Sequence, residues 1–360
     1  MYLIGSVNTM PSQCVEKQYK LKERPLISVI CPVYNEERYI DATVRSILAQ
    51  DYPQDRMEVL LIDGGSRDRT RERVAAWSAQ YPFIHLYDNP FRYVSQALNI
   101  GIENAKGEVI IRLDSHCVYP SRYFSVLVEQ LFALGADNVG SVLKTIPADD
   151  SGKAWAMAIA SSNKFGVGSS FRTGADRICE TDTVPFGCFR RELFNKIGLF
   201  DEDLVRNQDD EFNARIIRVG GKIFLLPQIE VTYTARANFT KLMRMYFQYG
   251  LFKPLVNKKI KIPATFRQFV PVLFVAGLVV GLPLSVFFPV IRWIYLCCVS
   301  LYFIVGFSIG LCQSVRHKKP SLLFFLPLVF FLVHLSYGCG YWKGIWKVAT
   351  GTGFYVKDSR

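Results

Sequence analysis

The sequence predicts an α/β fold with a mostly parallel sheet, followed by a C-terminal region of transmembrane helices. Two observations carry this prediction. Between residues 26 and 120, short apolar, β-branched runs alternate with helical patterns of about 10 to 15 residues, which is typical of a doubly wound sheet. After residue 267, three long runs contain no charged residue. We place an N-terminal leader at residues 1–25 and the α/β domain at residues 26–235.

Four strands are predicted in this domain, at residues 27–32, 57–63, 83–88 and 108–114. Helical patterns over residues 37–50, 68–80 and 94–105 follow the first three strands. Ligands bind such sheets outside the carboxyl ends of the strands. Polar side chains stand at all four ends, so we expect a binding cleft there. These residues are Tyr34, Asn35, Glu36, Asp63, Asp88, Asn89, Asp114 and His116.

The glycine-rich phosphate-binding motifs are missing from the sequence. No G-x-G-x-x-G follows the first strand, and no G-x-x-x-x-G-K-[ST] occurs. A dinucleotide site of the usual kind and an ATP P-loop are therefore not expected. Phosphate groups in the cleft must be held in another way, by a cation and by basic side chains.

The charge distribution points to a membrane. The net charge is +12, and residues 236–267 contain eight Lys or Arg and no Asp or Glu. Such a run binds nucleic acid or faces an anionic membrane. The uncharged runs that follow, at 268–291, 293–315 and 320–342, are 24, 23 and 23 residues long. Because a membrane-spanning helix needs about 20 apolar residues, we predict a membrane partner and no nucleic acid.

The basic residues also predict the orientation in the membrane. The juxtamembrane segment 236–267 and the loop with Arg316, Lys318 and Lys319 should face the cytoplasm. Three full crossings of region 268–342 would then put Lys343 and Lys347, in tail 343–360, outside. Either the charge bias is overruled there, or one apolar segment is re-entrant or lies in the interface. The first residues do not resemble a signal peptide, so we expect a cytoplasmic α/β domain at the inner (plasma) membrane.

Four motifs occur in a familiar order: PVYNEE, IDGGSRD, NPFRYVSQALNIGI and RLDSH. With this set the chain resembles glycosyltransferase family 2, whose inverting enzymes have a GT-A fold and use nucleotide-diphosphate sugars. It resembles in particular the branch with the succinoglycan-type β-1,3-glucosyltransferases of bacterial exopolysaccharide synthesis. The resemblance extends from about Ser28 to Lys253.

The resemblance implies a set of nucleotide-sugar-binding residues. In the family, the end of the first strand and the turn after the second hold the nucleoside. Gly64 stands where the family usually has a second aspartate, so Asp63 is the carboxylate of this turn. The matching positions are Pro32, Tyr34, Glu36 and Asp63, with Asn99, Arg112 and Asp114 lining the same cleft.

The resemblance also implies a metal site. Asp114 and His116 match the family's D-x-D pair, which holds a divalent cation and the donor diphosphate. The family usually has Asp where this chain has His116. Imidazole suits Mn²⁺ better than Mg²⁺, so we expect Mn²⁺ to be favoured. The alternative is that His116 binds phosphate directly and Asp114 alone anchors the metal.

The acidic cluster in NQDDEF matches the family's catalytic-base motif. Asp209 is the expected base, with Asp210 as its rival, although acids at the start of a helix are also favoured by the helix dipole alone. Basic and polar residues of the next, amphipathic segment are candidates for binding the diphosphate of the donor or of a lipid acceptor. These are Arg236, Arg244, Gln248 and Lys253. The Q-x-x-R-W signature of processive synthases is absent, so we expect one sugar per acceptor.

Together these features predict a membrane-bound hexosyltransferase. It would move a hexose, glucose by resemblance, from a UDP-sugar to a polyprenyl-diphosphate-linked glycan in exopolysaccharide or capsule synthesis, beside other polysaccharide-assembly enzymes. One alternative is sugar transfer to polyprenyl phosphate itself. Another is a nucleotide-binding transport or scaffold protein of the membrane.

Overall fold

The computed structural model describes residues 23–166, 170–173, 175–236, 238–261 and 266–354. The chain packs into two compact units. The sheet unit comprises the residues up to Lys144 together with Gly174–Tyr233. The helical unit comprises Thr145–Thr173 together with the residues from Thr234 onward. Residues 1–22 of the predicted leader lie outside the described residues.

The first half of the sheet unit alternates strands and helices in the predicted order. Its elements are β1 (Ile27–Val33), α1 (Ile40–Leu48), β2 (Met57–Asp63), α2 (Thr70–Gln80), β3 (Ile84–Asp88), α3 (Val94–Asn104) and β4 (Val109–Arg112). β1 pairs in parallel with β2 and β4, and β2 pairs in parallel with β3. Every residue of β1 and β2 is buried, which explains why both strands are largely apolar runs. The predicted α/β class is confirmed.

Helix α1 begins at Ile40, three residues later than the sequence pattern predicted. The backbone N–H groups of Glu36 and Glu37 are used elsewhere. They donate to Thr70 Oγ1 and Asp68 Oδ2, at 2.7 and 3.1 Å, in the segment that leads into α2. The carbonyl of Glu36 accepts from the N–H groups of Tyr39 and Ile40, each at 2.8 Å, so a hydrogen-bonded turn precedes the helix.

The chain continues through further helices and through five strands that were not predicted from the sequence. The elements are β5 (Cys117–Val118), α4 (Tyr123–Ala133), β6 (Asn138–Ile146), α5 (Gly152–Ser162), α6 (Ser170–Thr173), β7 (Cys179–Glu180), β8 (Cys188–Arg190), α7 (Glu192–Ile197), α8 (Gln208–Arg218) and β9 (Ile223–Thr234). The strand order is β3-β2-β1-β4-β8-β6-β9-β5, with β7 also on β9. β8 runs antiparallel to β4 and β6, and β5 and β7 run antiparallel to β9. The sheet is therefore mixed, with its parallel half formed by the four predicted strands.

A cluster of aromatic rings fixes helix α8 to the sheet unit. The Phe212 ring of α8 lies 5.5 Å from Phe189 of β8, 5.3 Å from Phe194 of α7 and 4.4 Å from Phe200. All four rings are buried. Because this cluster is large and apolar, it gives the first turn of α8, which carries the acidic residues, a defined position.

The helical unit contains α5 and α6 together with α9 (Phe239–Ile260), α10 (Val270–Phe287), α11 (Pro289–His317) and α12 (Leu322–Thr350). Three segments are long and apolar enough to cross a membrane: Phe266–Phe287, Pro289–His317 and Leu322–Thr350. This agrees with the predicted apolar C-terminal helices. The sequence analysis placed α5 within the α/β domain, whereas the structure packs its Ala156, Met157 and Ala160 into one core with residues of α9 and α12.

Candidate active site

The turn after β1 is tied to the turn after β2. Asn35 has a φ of +54°, and its backbone N–H donates to Ser66 Oγ at 2.8 Å. Its side-chain Oδ1 accepts from the N–H of Arg67 at 2.8 Å. Asparagine tolerates this left-handed conformation better than most residues. The two bonds fix the chain between Tyr34 and Glu36, the flanking candidates for nucleotide binding.

The carboxylate of Asp63, at the end of β2, accepts hydrogen bonds from residues of the turn that follows it. Its side chain is fully buried and accepts from the N–H groups of Gly65 and Ser66, each at 3.1 Å to Oδ2. The Ser66 hydroxyl donates to Oδ1 at 2.5 Å, and Arg71 Nη1 donates to Oδ2 at 2.8 Å. These bonds give Asp63 a structural role that the sequence did not indicate. Its direct contact with a nucleoside stays a prediction.

Arg71 links the ends of two neighbouring strands. Its Nη1 also lies 2.5 Å from Oδ1 of Asp88, the last residue of β3 and the register partner of Asp63. Arg71 keeps 42% of its side chain exposed. The sequence analysis missed this residue, although an arginine in the first turn of the helix after β2 was a detectable signal. It adds a cation to the edge at which phosphates were expected.

Tyr34 lies against the glycine of the second turn. A Cβ on Gly64 would be 3.5 Å from Cδ2 of Tyr34 and 3.4 Å from Cα of Arg92. The tyrosine is half-buried, and Arg92 is exposed. An aromatic ring, a glycine and an arginine backbone thus adjoin where the resemblance places the nucleoside.

Two predicted nucleotide-binding residues lie elsewhere than expected. Pro32 is buried inside β1, paired with Ile62, because the strand continues through Val33. Asn99 is buried in α3, and its Nδ2 donates to the carbonyl of Phe200 at 2.9 Å and to Glu202 Oε1 at 2.8 Å. Since an amide nitrogen has two protons, Asn99 has none left to donate to a nucleotide. Both residues have structural roles in this fold, and their contact with a nucleotide stays a prediction.

Asp114 and His116 converge after β4, together with Glu36. His116 Nδ1 lies 2.6 Å from Oδ1 of Asp114 and 3.8 Å from Oε1 of Glu36. Glu36 is buried, while Asp114 and His116 keep 27% and 21% of their side chains exposed. The His116 ring also lies 5.7 Å from the ring of Tyr233 on β9. The structure therefore brings the two predicted metal ligands together and adds a second carboxylate, that of Glu36, beside them.

A buried tyrosine holds the turn that carries these residues. The hydroxyl of Tyr119 accepts from the N–H of Asp114 at 2.6 Å and donates to the carbonyl of the same residue at 3.1 Å. Tyr119 is 5% exposed, and its ring packs 4.9 Å from Tyr123 and 6.3 Å from Phe186. Burial raises its pKa, so the hydroxyl keeps its proton. The one signal for this function in the sequence is a tyrosine five residues after Asp114.

The donor atoms fit a divalent cation that is completed by substrate. Among the described residues no cluster of three or more His, Cys, Asp or Glu forms a metal site by itself. Divalent cations at phosphate sites are commonly held by one or two protein ligands, with phosphate oxygens and water completing the shell. A carboxylate of Asp114 and an imidazole of His116 at 2.6 Å suit that arrangement, and Mn²⁺ accepts both donor types.

Asp209, the predicted base, is paired with Arg112. Nη1 of Arg112, at the end of β4, donates to Oδ1 of Asp209, in the first turn of α8. The side chain of Arg112 is 9% exposed, and that of Asp209 is 32% exposed. The carboxylate of Asp209 therefore reaches the surface on one side and is held by a buried cation on the other.

The surroundings of Asp209 also set its pKa. Burial raises this pKa above its ordinary value, the charge of Arg112 opposes the increase, and the charges of Asp210 and Asp114 add to it. A carboxylate with a raised pKa is a better proton acceptor near neutral pH. The influence of Asp114 puts the predicted base and the predicted metal ligand in one electrostatic neighbourhood.

The other acids of α8 differ from Asp209 in their surroundings. Glu211 is buried and accepts from Nε and Nη2 of Arg215, each at 2.9 Å. Arg215 also donates to the carbonyls of Ile197 and Leu199, so this pair fastens α8 to the segment after α7. Asp210 is partly exposed. Asp209 and Asp210 are the acids that stay candidates for the base.

The four predicted diphosphate- or acceptor-binding residues belong to the helical unit. Arg236 is half-buried just before α9, and Arg244 is exposed on that helix. Gln248 and Lys253 are buried on α9, at 4% and 9% exposure. Their role in binding stays a prediction.

An α/β sheet with two candidate metal ligands and a carboxylate base candidate at its carboxyl edge is the arrangement implied by the resemblance to glycosyltransferases of the GT-A class. Residues 28–198 match the family model described as Glycosyl transferase family 2. The chain is thus a glycosyltransferase with a family 2 domain.

Two relatives are similar over nearly the whole chain. The succinoglycan biosynthesis protein ExoA of Rhizobium meliloti is 28% identical over 321 residues, which cover 88% of this chain and 93% of that protein. A dolichyl N-acetyl-alpha-D-glucosaminyl phosphate 3-beta-D-2,3-diacetamido-2,3-dideoxy-beta-D-glucuronosyltransferase of Methanococcus voltae is 27% identical over 329 residues, covering 89% and 97%. Alignments of this length extend beyond the family 2 domain into at least part of the C-terminal helical region.

A solved structure supports the fold. The mannosyltransferase PcManGT of Pyrobaculum calidifontis, determined in complex with GDP-Man and Mn²⁺, superposes with a TM-score of 0.57 at 20% identity. The match covers 90% of this chain and 91% of that one. The predicted GT-A fold with C-terminal helices is confirmed.

Proposed function

We propose that this enzyme moves a hexose, glucose, from UDP to a polyprenyl-diphosphate-linked glycan with inversion at the anomeric carbon. One observation carries the proposal. Asp114 and His116 converge at the carboxyl edge of the sheet, and Asp209 lies within electrostatic reach of Asp114. A diphosphate-binding pair and a base are the two parts that an inverting sugar transfer requires.

The reaction is a single displacement. An acceptor hydroxyl oxygen forms a bond to the anomeric carbon while the bond from that carbon to the β-phosphate oxygen of UDP breaks. Asp209 takes the hydroxyl proton, and UDP leaves with the electron pair of the broken bond. The exposed side of the Asp209 carboxylate receives the proton, while Arg112 orients the group from its buried side.

The donor end uses the residues around β1, β2 and β4. Tyr34 lies beside Gly64 and supplies an aromatic wall for the base of the nucleotide. Asp114 and His116 would hold a divalent cation, Mn²⁺ in preference to Mg²⁺, which neutralises charge on the departing diphosphate as a Lewis acid. Arg71, shared between Asp63 and Asp88, keeps enough exposure to add a positive charge at this edge. The Mn²⁺ and GDP-Man bound by the mannosyltransferase of P. calidifontis support a cation-assisted nucleotide-sugar site.

The acceptor proposal draws on the relatives and on the apolar helices. One relative acts in succinoglycan biosynthesis, and the name of the other specifies a sugar on a dolichyl-linked phosphate. A lipid-linked acceptor fits a chain with three helices able to cross a membrane. We therefore infer an enzyme of exopolysaccharide or capsule synthesis, with its domain on the cytoplasmic side of the inner membrane. Arg236, Arg244, Gln248 and Lys253 are proposed to bind the acceptor or donor diphosphate.

The assignment of the base is tested by Asp209→Asn, with Asp210→Asn as its neighbour and Glu103→Gln, an exposed acid of α3, as control. We expect kcat to fall by about 10²- to 10⁴-fold in Asp209→Asn only, while UDP binding is retained. Near-normal turnover in Asp209→Asn, or a larger loss in Asp210→Asn, would reject Asp209 as the base.

The substrates are tested by measuring UDP release from purified enzyme in detergent. UDP-glucose is compared with other UDP-hexoses and with GDP-mannose, using a polyprenyl-diphosphate-linked glycan and polyprenyl phosphate as acceptors. Turnover that requires UDP-glucose and the glycan acceptor supports the proposal. Transfer to polyprenyl phosphate alone would establish the second candidate, in which the enzyme makes a lipid-phosphate sugar.

A further inference from the structure

Helices α10 and α11 form an antiparallel hairpin. The rings of Phe274 and Tyr302 stack 4.5 Å apart, and seven residues further toward the bend a Cβ on Gly281 would lie 2.7 Å from the ring of Tyr295. The bend is at Phe288, between the two helices. The 18 residues of α10 span about 27 Å, close to the hydrocarbon thickness of about 30 Å. The hairpin is long enough to cross a bilayer and return.

In the part of the chain that the structure describes, helix α12 contacts the hairpin near its open end, where α10 begins and α11 ends. Among the described residues, its ring, hydrogen-bond and glycine contacts with the hairpin fall on α10 residues 271–275 and α11 residues 302–310. The half of the hairpin nearer the bend takes no part in these contacts. A third crossing helix would be expected to follow its neighbours toward the bend.

The path of α12 shows why its contacts are restricted. Near its start, Leu322 lies beside Gly310 of α11, 20 residues before Trp342, which makes a contact with α10. In the middle, His334 Nδ1 lies 2.8 Å from the hydroxyl of Tyr302. Near its end, Trp342 Nε1 donates to the carbonyl of Val272, in the first turn of α10, at 3.2 Å. Both ends of α12 therefore lie at the open end of the hairpin, and the helix passes across that end.

On its other side α12 is covered by a basic helix. Gly340 and Gly344 of α12 are packed against the backbone of Phe247 and Leu251, so closely that a Cβ on either would collide with a carbonyl oxygen of α9. α9 carries five basic residues, Lys241, Arg244, Lys253, Lys258 and Lys259. Cations are costly at the centre of a bilayer and are attracted to anionic headgroups, so a helix with five of them belongs at the headgroup level.

The open face of α12 suits the membrane interface. Its exposed apolar residues recur at helical spacing: Phe324 and Leu328, then Trp342 and Trp346, with exposures of 69, 43, 44 and 58%. Trp residues beside lysines are typical of helix segments at headgroup depth, and Lys343 and Lys347 flank the two tryptophans. Half of the apolar window of α12 is buried, against 22% for the segment containing α10 and 11% for α11.

We propose that α10 and α11 alone cross the bilayer, and that α9 and α12 form a platform that binds the lipid headgroups of the cytoplasmic leaflet. The basic residues at the open end of the hairpin, Arg267, Arg316 and Lys318, face the cytoplasm by the positive-inside rule, while Arg292 near the bend lies on the far side. The C-terminus then lies on the cytoplasmic side. Lys343 and Lys347 no longer conflict with the rule, and this inference holds whichever sugar is transferred.

The inference is tested by the topology of the full chain in bacterial cells. Two fusions of the full chain carry green fluorescent protein or alkaline phosphatase after Arg360. A third fusion of the same chain carries alkaline phosphatase between Phe288 and Pro289. We expect fluorescence and no phosphatase activity at the C-terminus, with active phosphatase at the bend. An active C-terminal phosphatase would mean that α12 crosses, and an inactive one at the bend would mean that the hairpin does not; either result overturns the proposal.

A smaller probe covers the case in which a fusion protein disturbs folding. Ser359→Cys is labelled with a membrane-impermeant maleimide in intact and in permeabilised cells, and the unchanged chain gives the background of its native cysteines. Labelling of the new cysteine only after permeabilisation supports a cytoplasmic C-terminus. Labelling in intact cells overturns it.

Discussion

Arg112 donates to Asp209 from the last residue of β4 to the first turn of α8. This ion pair joins the strand that leads to the candidate metal ligands with the helix that carries the candidate base. The cation is almost fully buried, while the carboxylate is about one-third exposed. Arg112 is thus a positioning residue for the proposed base and also one of the determinants of its pKa.

The pair predicts a pH dependence. The base must be ionised, so turnover should fall as the pH is lowered through the pKa of Asp209. Burial raises this pKa, and Arg112 opposes the increase. Replacing Arg112 by Gln should therefore move the acid limb of the kcat profile to higher pH, by about one unit or more.

The measurement is the pH profile of kcat for the wild type and for Arg112→Gln, with Arg191→Gln, an exposed arginine before α7, as the control. UDP binding verifies that each variant is folded. An acid limb that stays in place or moves to lower pH in Arg112→Gln would contradict the role of Asp209 as the titrating base.

The pair of Asp114 and His116 predicts metal preference. A second carboxylate in place of the imidazole should favour the harder ion, because Mg²⁺ prefers oxygen ligands. His116→Asp should therefore raise the ratio of Mg²⁺-supported to Mn²⁺-supported turnover, and His116→Ala should weaken Mn²⁺ binding in the presence of UDP by about tenfold or more.

Electron paramagnetic resonance of Mn²⁺ measures this binding without turnover. His85→Ala, a histidine of β3 in the same sheet, is the matched control. If His116→Ala leaves both Mn²⁺ binding and activity unchanged, the histidine is not a ligand. If it weakens UDP binding without added metal, the alternative of direct phosphate binding gains support.

Tyr119 predicts a positioning effect on the same site. Removal of its hydroxyl in Tyr119→Phe leaves the N–H and carbonyl of Asp114 without their shared partner. We expect a loss of about 1–3 kcal/mol in the free energy of unfolding. We also expect about tenfold weaker Mn²⁺ binding in the presence of UDP, because the backbone of the ligand residue is no longer held.

Tyr52→Phe is the matched control for this effect. Tyr52 is also buried, and its hydroxyl donates to the carbonyl of Pro25 at 2.6 Å, away from the turn that carries Asp114. It should lower stability without changing Mn²⁺ binding. Equal Mn²⁺ affinities in the two variants would show that Tyr119 acts on stability alone.

The close packing of α9 on α12 predicts different effects for two glycines. A Cβ at Gly340 collides with the carbonyl of Phe247, whereas a Cβ at Gly277 of α10 has no atom within 4 Å. Gly340→Ala should push the helices apart and lower the melting temperature in detergent by several degrees. Gly277→Ala should leave it unchanged, and equal melting temperatures for the two variants would contradict this packing.

Local patterns in the sequence were enough for the parallel half of the fold. The strands 57–63 and 84–88 are found within a residue of their predicted bounds, because short runs rich in apolar residues between turn residues are a local signal for strands. Strands of two or three residues such as β5, β7 and β8 carry no such pattern, since their positions are set by partners far away in the chain. These three strands were therefore not predicted, and the longer strands β6 and β9 of the antiparallel half were missed as well.

The sequence by itself determined which residues stand at the strand ends and which segments are apolar enough for a membrane, because both follow from residues close together in the chain. Only the tertiary structure decided what those residues contact. It buried Asn99 against Phe200, engaged Asp63 within its own turn and paired Arg112 with Asp209. It also laid α12 across the open end of the α10–α11 hairpin. Hydrogen-bond partners and helix crossings depend on segments distant in sequence, and composition and spacing do not specify them.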